Sequence, residues 1–142
     1  MKAVILAAGY GNRMRPLTDS IHKTLLKVAG ETIIDRILSG LSENQVSEVV
    51  LVTGYRASEL EEHVLSRHPH LHFTFVRNKR FRETNNIYSM ALAFEQADID
   101  DDILLIESDL VYEPSVISRI IASAHENVAL VDRYRTGMDG TV

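Results

Sequence analysis

The sequence predicts an α/β fold, a Rossmann-like three-layer sandwich with a mainly parallel sheet. Two observations lead to this fold class. Continuous apolar runs, typical of strands buried on both faces, alternate with segments whose apolar residues recur at helical spacing. This alternation favours parallel strands, because a crossover helix returns the chain to the starting edge of the sheet. The predicted strands are residues 3–8, 49–52, 71–76 and 103–106.

Helices are predicted between these strands and after the last one, because apolar residues recur there every three or four positions. Pro114 stands near the first turn of the last helix, a position that proline favours. Residues 128–131 predict one more strand, and Asp139-Gly140 predicts a turn after it. The apolar helical positions are Ile33, Ile34, Ile37, Leu38 and Leu41, then Leu60 and Val64, then Ile87, Met90, Ala91 and Phe94, and finally Val116, Ile117, Ile120, Ile121 and Ala124.

The composition indicates one globular domain. The 142 residues are 45% hydrophobic and 25% charged, as in soluble globular proteins. A net charge of -5 argues against general nucleic-acid binding, and the absence of cysteine excludes disulfides and thiolate chemistry. The apolar run after Lys2 is too short for a secretory signal, and no segment approaches the roughly 20 apolar residues of a membrane helix. We therefore expect a cytoplasmic protein with no membrane partner.

The first predicted strand leads into a loop that suits a phosphate ligand. Gly9 and Gly11 are expected to adopt positive φ and to let the backbone come close to a ligand. Arg13 and Lys23 supply positive charge that suits a polyphosphate. The spacing excludes a Walker loop, and the dinucleotide-binding fingerprint would need a third glycine that opens a helix. Pro16 and the polar residues after it favour a long loop instead.

Acidic residues follow the strand predicted at 103–106. Ligands of parallel sheets bind beyond the carboxyl ends of the strands, so Asp109 and the glycine loop are expected at the same edge. Magnesium prefers hard oxygen ligands and accepts one or two protein carboxylates beside phosphates. Asp109 is therefore the candidate Mg²⁺ ligand, and the alternative is an aspartate that caps the next turn. Glu107 points to the same face of the strand, as an outer partner of the metal or as a separately hydrogen-bonded acid.

Two further clusters are interpreted as surface features. The histidines at positions 68, 70 and 72 lack a nearby carboxylate or cysteine that would complete a metal site. The basic residues Arg77, Lys79, Arg80 and Arg82 are more simply a solvated face than an attractor of anionic substrates.

The opening pattern resembles the signature of the nucleotidyltransferase superfamily. It runs Leu6-Ala-Ala-Gly-Tyr-Gly-Asn-Arg-Met-Arg-Pro-Leu-Thr18 and continues with Lys23-Thr-Leu-Leu-Lys-Val-Ala-Gly30. The resemblance implies a nucleotide-diphospho-sugar transferase-like fold and an enzyme that joins a nucleoside triphosphate to a phosphorylated acceptor, with release of pyrophosphate. Its catalytic residues would be Arg13, Lys23 and Asp109, with the last also holding Mg²⁺. Nucleotide contacts would come from Leu6, Ala7, Ala8, Gly9, Gly11, Arg13 and Lys23.

The resemblance covers nearly all of the chain but only about the first half of a typical catalytic domain of this superfamily. Residues 1–142 are thus expected to be the N-terminal, nucleotide-binding part of a nucleotidyltransferase domain, and a further acidic metal ligand has no counterpart here. A natural fusion to another domain and the oligomeric state stay open.

A second segment indicates which nucleotide the enzyme would use. Thr84-Asn-Asn-Ile-Tyr-Ser89 resembles the corresponding segment of cytidylyltransferases that act on phosphocholine and 2-aminoethylphosphonate. Segments 107–114 and 131–140 resemble aminoethylphosphonate cytidylyltransferases more than sugar nucleotidyltransferases. Asn85, Asn86 and Ser89 are assigned to the nucleotide and acceptor pocket, although Thr84 or Asn85 would equally serve as a helix cap. Gly54 and Tyr55 follow the strand predicted at 49–52 at the same edge, where Gly54 either admits the base or forms a plain turn.

The expected reaction is transfer of CMP from CTP to 2-aminoethylphosphonate, with phosphocholine as the second acceptor. A sugar-1-phosphate nucleotidylyltransferase and a nucleotide-binding module without catalysis are also compatible with the sequence. An acceptor with an ammonium group needs acids or aromatic faces around it. Tyr112, Glu113, Asp132 and Tyr134 are available for that purpose, or else lie on the surface.

Overall fold

The structure is a computed structural model that describes residues 1–131. The chain divides into two compact units, Met1–Val111 and Tyr112–Val142. The first unit contains a four-stranded parallel sheet and a short antiparallel ribbon. All four strands predicted for the sheet are confirmed within a residue or two at each end. The strands are β1 (Lys2–Ala7), β2 (Lys27–Val28), β3 (Glu31–Thr32), β4 (Glu48–Thr53), β5 (His72–Arg77) and β6 (Ile103–Glu107).

The four predicted helices also form. They are α1 (Ile33–Glu43), α2 (Ala57–Arg67), α3 (Asn86–Gln96) and α4 (Ser115–Ile121). Helix α1 begins at a favourable cap, because the Thr32 hydroxyl accepts a hydrogen bond of 3.1 Å from the Asp35 N–H.

The strand order in the sheet is β5-β4-β1-β6. The connections between strands therefore run across the sheet in one direction from β1 and in the opposite direction to reach β6. From β1 the chain moves outward through α1 to β4 and through α2 to β5. It then returns through α3 to β6, on the other side of β1. Such a reversal leaves a crevice between the carboxyl ends of the two strands that flank it, which is where ligands of open α/β sheets bind. Here those strands are β1 and β6, which are paired at Leu6 and Glu107.

The sheet is buried between helices on its two faces. One face carries Val4, Leu6, Val50 and more apolar side chains in a cluster with Leu92 and Ala93 of α3. Strand residues of the other parity, such as Ile5, are also buried and point to the opposite face. Right-handed crossovers put α1 and α2 on that opposite face, because their connections run in the reverse direction across the sheet. This arrangement is the three-layer α/β sandwich that the sequence predicts.

Strand β6 departs from the expectation of burial on both faces. Ile103 and Leu105 are 36% and 46% exposed, whereas Leu104 and Ile106 are buried. The reason is that α3 packs mainly against β1, β4 and β5.

The apolar face expected for α3 is also partly wrong. Ile87 and Phe94 are exposed, and Ala91 between them is exposed as well. The helix instead buries Ser89, Leu92 and Ala93 against the sheet. The polar Ser89 is accommodated in this contact because Asn78, in the loop after β5, donates a hydrogen bond to its hydroxyl.

The second unit contains α4, where Ile117 is buried. The strand expected at 128–131 is absent, since these residues form no regular element. An apolar run becomes a strand only where a neighbouring strand pairs with its backbone groups, and the local pattern does not contain that condition. Burial raises the pKa of Tyr112 to about 12, and Glu113 is exposed. Asp132, Tyr134 and the turn at Asp139-Gly140 lie outside the described residues.

Among residues 1–131, every helix is too short or too polar to cross a membrane.

A buried carboxylate organises the packing of α1 against α2. Asp35 Oδ1 accepts hydrogen bonds of 2.9 Å from Nε2 of His63 and from Nε2 of His68. Burial by itself raises the pKa of Asp35, but the hydrogen bonds from His68, Thr32 and His63 outweigh it and leave the pKa below its ordinary value. The interpretation of the histidine run as a surface feature without a nearby carboxylate is therefore wrong for His68, which is buried and bonded to Asp35 because folding brings α1 beside the end of α2.

Candidate active site

Two of the predicted catalytic side chains meet in the crevice between β1 and β6. Lys23 begins a short 3₁₀ turn, Lys23–Leu25, and its Nζ donates a 2.9 Å hydrogen bond to Asp109 Oδ2. The side chains are 13% and 34% exposed, so the ion pair is sheltered but open to a ligand. The predicted convergence of the glycine loop and the end of β6 is thus confirmed for residues that lie 86 positions apart.

The two glycines of the loop differ in backbone conformation and in what surrounds them. Gly11 has φ of 71°, as expected, and its carbonyl accepts a 2.9 Å hydrogen bond from the Thr18 hydroxyl. The expectation of a positive φ at Gly9 is wrong. A Cβ on Gly9 would lie 3.6 Å from Lys23 Nζ, at ordinary contact distance. Gly9 therefore borders the Lys23 ammonium, and neither a left-handed backbone nor a steric conflict requires glycine there.

A buried histidine beneath the loop was not identified from the sequence. His22 is fully buried; its Nε2 donates to the Ala7 carbonyl at 3.0 Å, and its Nδ1 accepts from the Thr24 N–H at 3.2 Å. Burial lowers the pKa of His22 to about 4, although the hydrogen bond to Ala7 acts in the other direction. The ring is therefore neutral near pH 7 and ties the residues on either side of Lys23 to the end of β1.

Gly54 and Tyr55 hold the other side of the loop. A Cβ on Gly54 would lie 2.7 Å from the Ala8 carbonyl oxygen and 2.9 Å from Phe81 Cβ. The Tyr55 N–H donates to that same Ala8 oxygen at 3.1 Å, and the Tyr55 hydroxyl donates to the Thr18 carbonyl at 3.2 Å. The absence of a side chain at Gly54 is thus needed for contact within the chain itself.

The difference between the two glycines predicts a difference in stability. We expect Gly54→Ala to lower the free energy of unfolding by about 1–3 kcal/mol, the usual cost of forcing an extra methyl group into a filled space. Gly9→Ala, the matched control, is expected to change it by no more than about 0.5 kcal/mol, since its Cβ makes only an ordinary contact. Urea denaturation of both variants measures the difference. Equal losses in both variants would contradict the assignment of the close contact to Gly54.

The start of α3 faces the carboxyl end of β6. Asn85 caps the helix by accepting from the Tyr88 N–H at 3.3 Å, which agrees with its interpretation as a helix cap. Asn86 Nδ2 donates to both carboxylate oxygens of Glu107 at 3.0 Å. Ser89 is buried, and its Oγ accepts from Asn78 Nδ2 at 3.0 Å. Asn86 is thus linked to the acidic end of β6, whereas Ser89 faces the protein interior.

Asn78 is a second organising residue that was missed in the sequence. It is buried, and its Nδ2 also donates to the Thr84 hydroxyl at 3.0 Å, while its Oδ1 accepts from the Arg80 N–H at 2.9 Å. These bonds tie the loop after β5 to the start of α3. A polar residue directly after a predicted strand was the available signal, but periodicity does not reveal which partners it finds.

The remaining site residues fit a polyanion and a divalent cation. Arg13 is exposed on the 3₁₀ turn Asn12–Met14, beyond Gly11. Asp109 offers a partly exposed carboxylate, and Glu107 lies two residues before it on the strand. Among residues 1–131, no cluster of three or more acidic, histidine or cysteine side chains forms a closed metal site. A single available carboxylate suits Mg²⁺, which keeps waters and substrate phosphates as its remaining ligands.

Comparison with known proteins shows which family the chain is similar to. Residues 3–139 match the profile of the MobA-like NTP transferase domain. The whole chain is 34% identical to CMP-5'-(3-aminopropyl)phosphonate synthase of Streptomyces rubellomurinus and covers 22% of that protein. It is 32% identical to choline-phosphate cytidylyltransferase of Haemophilus influenzae, over 96% of the chain and 54% of that protein.

A solved structure shows the same fold. The inositol-1-phosphate CTP transferase from T. maritima superposes with a TM-score of 0.73 and 29% identity, over 88% of this chain and 49% of that one. The chain thus spans about half, or less, of the length of these relatives. The resemblance drawn from the opening motif and from residues 84–89 is confirmed at the level of the family and of its cytidylyltransferase members.

Proposed function

The chain belongs to the MobA-like NTP transferase family, and from this premise we propose that it is the nucleotide-binding part of a cytidylyltransferase that transfers CMP from CTP to 2-aminoethylphosphonate. The observation that carries the proposal is the contact between Lys23 Nζ and Asp109 Oδ2 in the crevice beside the glycine loop. The choice of CTP and of a phosphonate rests on the relatives, which include a CMP-aminopropylphosphonate synthase and a choline-phosphate cytidylyltransferase.

The proposed reaction brings several negative charges together. An oxygen of the acceptor phosphonate attacks the α-phosphorus of CTP, and the bond to the leaving pyrophosphate breaks, so that negative charge moves onto pyrophosphate. Two unit charges about 4 Å apart interact by about 4 kcal/mol at an effective dielectric constant near 20. Lys23 and Arg13 offset this repulsion and stabilise the leaving pyrophosphate. No covalent intermediate with the enzyme is needed.

The nucleotide is held by the loop and by the start of α3. Backbone groups of residues 6–11 bind the phosphates, with His22 and Tyr55 keeping the loop in position through Ala7 and Ala8. Asn85 and Asn86 supply amide groups for the pyrimidine or ribose. Ser89 supports them from within through Asn78, and Gly54 supports the loop by close packing against Ala8.

Asp109 is the proposed ligand of Mg²⁺. When bound, the cation would neutralise phosphate charge and favour the departure of pyrophosphate. Lys23 holds Asp109 Oδ2 at the crevice in the absence of substrate. Asn86 engages both oxygens of Glu107, whereas Lys23 engages Oδ2 of Asp109 and leaves Oδ1 for the cation. Glu107 then acts as a neighbouring acid.

The test is pyrophosphate release by the longest natural form of this chain, with Mg²⁺ and CTP. 2-Aminoethylphosphonate, phosphocholine and glucose 1-phosphate are offered in parallel. Turnover with the phosphonate supports the proposal, and turnover with phosphocholine selects the second candidate, which the Haemophilus influenzae relative favours. Turnover with the sugar phosphate alone, or CTP binding without any turnover, would overturn the proposed acceptor and reaction. A cytoplasmic location stays a prediction.

A further inference from the structure

The aromatic ring of Tyr10, in the glycine loop, contacts two arginines. Tyr10 lies between Gly9 and Gly11, and the guanidinium carbons of Arg15 and Arg82 each lie 5.7 Å from the centre of its ring. The guanidinium carbon of Arg82 also lies 5.7 Å from the ring centre of Phe81. These distances are typical of cation–π contacts. The loop after β1 and the loop after β5 therefore meet through a cation held on aromatic rings.

The ring of Tyr10 is fixed by its other neighbour. Tyr55 meets it edge-on, with ring centres 4.6 Å apart and an angle of 71° between the planes. Tyr55 is itself bonded to the loop through Ala8 and Thr18. Tyr10 is thus a supported surface at the mouth of the site, next to the glycine that borders the Lys23 ammonium.

Arg82 differs from the neighbouring arginines in its partners. Arg77 is paired with Glu61 at 2.5 Å, Arg80 with Glu83 at 3.3 Å, and Arg15 with Asp19 at 2.5 Å. Among residues 1–131, no ion pair includes Arg82. Within the part of the chain that the structure describes, its guanidinium therefore rests on aromatic faces without a carboxylate partner.

We propose that Tyr10 is a platform for Arg82, which holds this guanidinium at the mouth of the glycine loop, where its N–H groups bind the triphosphate of the nucleotide. A guanidinium stacks on an aromatic ring through its face and forms bidentate, charge-assisted hydrogen bonds with phosphate through its edge, so that both contacts can be made at once. Because the ring contact is kept in the bound state, the platform limits the orientations that Arg82 must lose on binding. Tyr10 is a positioning residue and Arg82 a binding residue. The proposal rests on the proposed function in taking the ligand to be a nucleoside triphosphate.

Calorimetric binding to the full chain tests this role, with CTP and inorganic tripolyphosphate as separate probes and with several salt concentrations. We expect Arg82→Gln to raise Kd for both probes by about tenfold and to reduce the salt dependence of binding, as loss of one phosphate contact should. Tyr10→Leu should raise Kd by about threefold to tenfold, whereas Tyr10→Phe, which keeps the ring face, should stay within about twofold of the original protein. Arg119→Gln, an exposed arginine of α4, is the charge-matched control.

A double variant separates the platform from a general packing role. If Tyr10 acts through Arg82, Tyr10→Leu combined with Arg82→Gln should bind no more weakly than Arg82→Gln alone. Additive losses would overturn the platform, as would unchanged binding in Arg82→Gln.

The two probes distinguish the failure of this inference from that of the proposed function. Binding of CTP that is indifferent to both substitutions overturns the inference alone. Binding of tripolyphosphate that weakens in Arg82→Gln, without any preference for CTP, supports the inference and overturns the proposed nucleotide. Binding of neither probe overturns both.

Discussion

Replacement of Lys23 by alanine should lower the turnover number of the proposed cytidylyl transfer by about 10²–10³-fold, the usual effect of removing a group that stabilises charge in the transition state. The Lys23 ammonium stands 2.9 Å from Asp109 Oδ2, at the crevice where the leaving pyrophosphate would gain charge. Its effect on ground-state binding should be smaller, and we expect Kd for CTP to rise by no more than about tenfold. Steady-state kinetics with the active acceptor and calorimetric binding of CTP measure the two quantities separately.

Lys27→Ala provides the control for this experiment. Lys27 lies four positions further along and is exposed on the two-residue strand β2, so its removal takes away the same charge without touching the crevice. Its kcat and KM should stay within about twofold of the original values. A Lys23→Ala variant with an unchanged turnover number would remove Lys23 from the catalytic machinery. A variant with weakened CTP binding and unchanged turnover would limit Lys23 to holding the nucleotide.

Replacement of His22 by alanine is expected to lower the free energy of unfolding by about 3 kcal/mol, within a range of about 2–5 kcal/mol. The ring is fully buried, so its loss leaves a cavity, and it also leaves the Ala7 carbonyl and the Thr24 N–H without their partner. Urea denaturation measures the loss. His70→Ala is the matched control, because His70 is exposed and its hydrogen bond is to the Ser42 side chain; its effect should stay within about 0.5 kcal/mol.

The effect of His22→Ala should also depend on pH. The pKa of His22 is lowered to about 4 in the folded protein, against about 6.5 in an unfolded chain. Between these values the unfolded state binds more protons, so the stability that depends on a neutral His22 is lost as the pH falls from about 6.5 towards 4. Over the whole of this pH range, the loss in the free energy of unfolding amounts to about 3 kcal/mol.

The comparison across pH therefore has a defined sign. The difference in unfolding free energy between the original protein and His22→Ala should shrink by about 2 kcal/mol between pH 7 and pH 5, while the difference for His70→Ala should show no such trend. A difference for His22→Ala that stays constant, or that grows in acid, would mean that His22 is not held neutral beneath the loop.

The elements and their order were determined by local patterns in the sequence. Apolar runs and helical spacing marked each strand of the parallel sheet and each helix, because burial of a whole strand or of a helix stripe requires such patterns. The edge of the sheet that carries the glycine loop and Asp109 followed from parallel topology alone. The contact between Lys23 and Asp109 is the direct consequence.

Which face of an element is covered was decided by tertiary structure. Leu105 and Leu104 are neighbours of equal hydrophobicity in β6, yet one is exposed and the other buried, because α3 packs mainly against β1, β4 and β5. Residues 128–131 are apolar enough for a strand but form no regular element. Burial and strand pairing depend on the neighbour, and the neighbour is not part of the local pattern.

The chemistry of the loop shows the same division. The sequence by itself predicts that Gly9, Gly11, Arg13, Lys23 and Asp109 belong to one phosphate-directed site, since these residue types at these positions suit a polyanion and its cation. Only the tertiary structure decided that Gly11 needs positive φ while Gly9 does not, that Gly54 is packed against Ala8, and that His22 lies neutral beneath the loop. The physical reason is that backbone angles, close contacts and desolvation are set by atoms that are distant in sequence and become neighbours only when the chain folds.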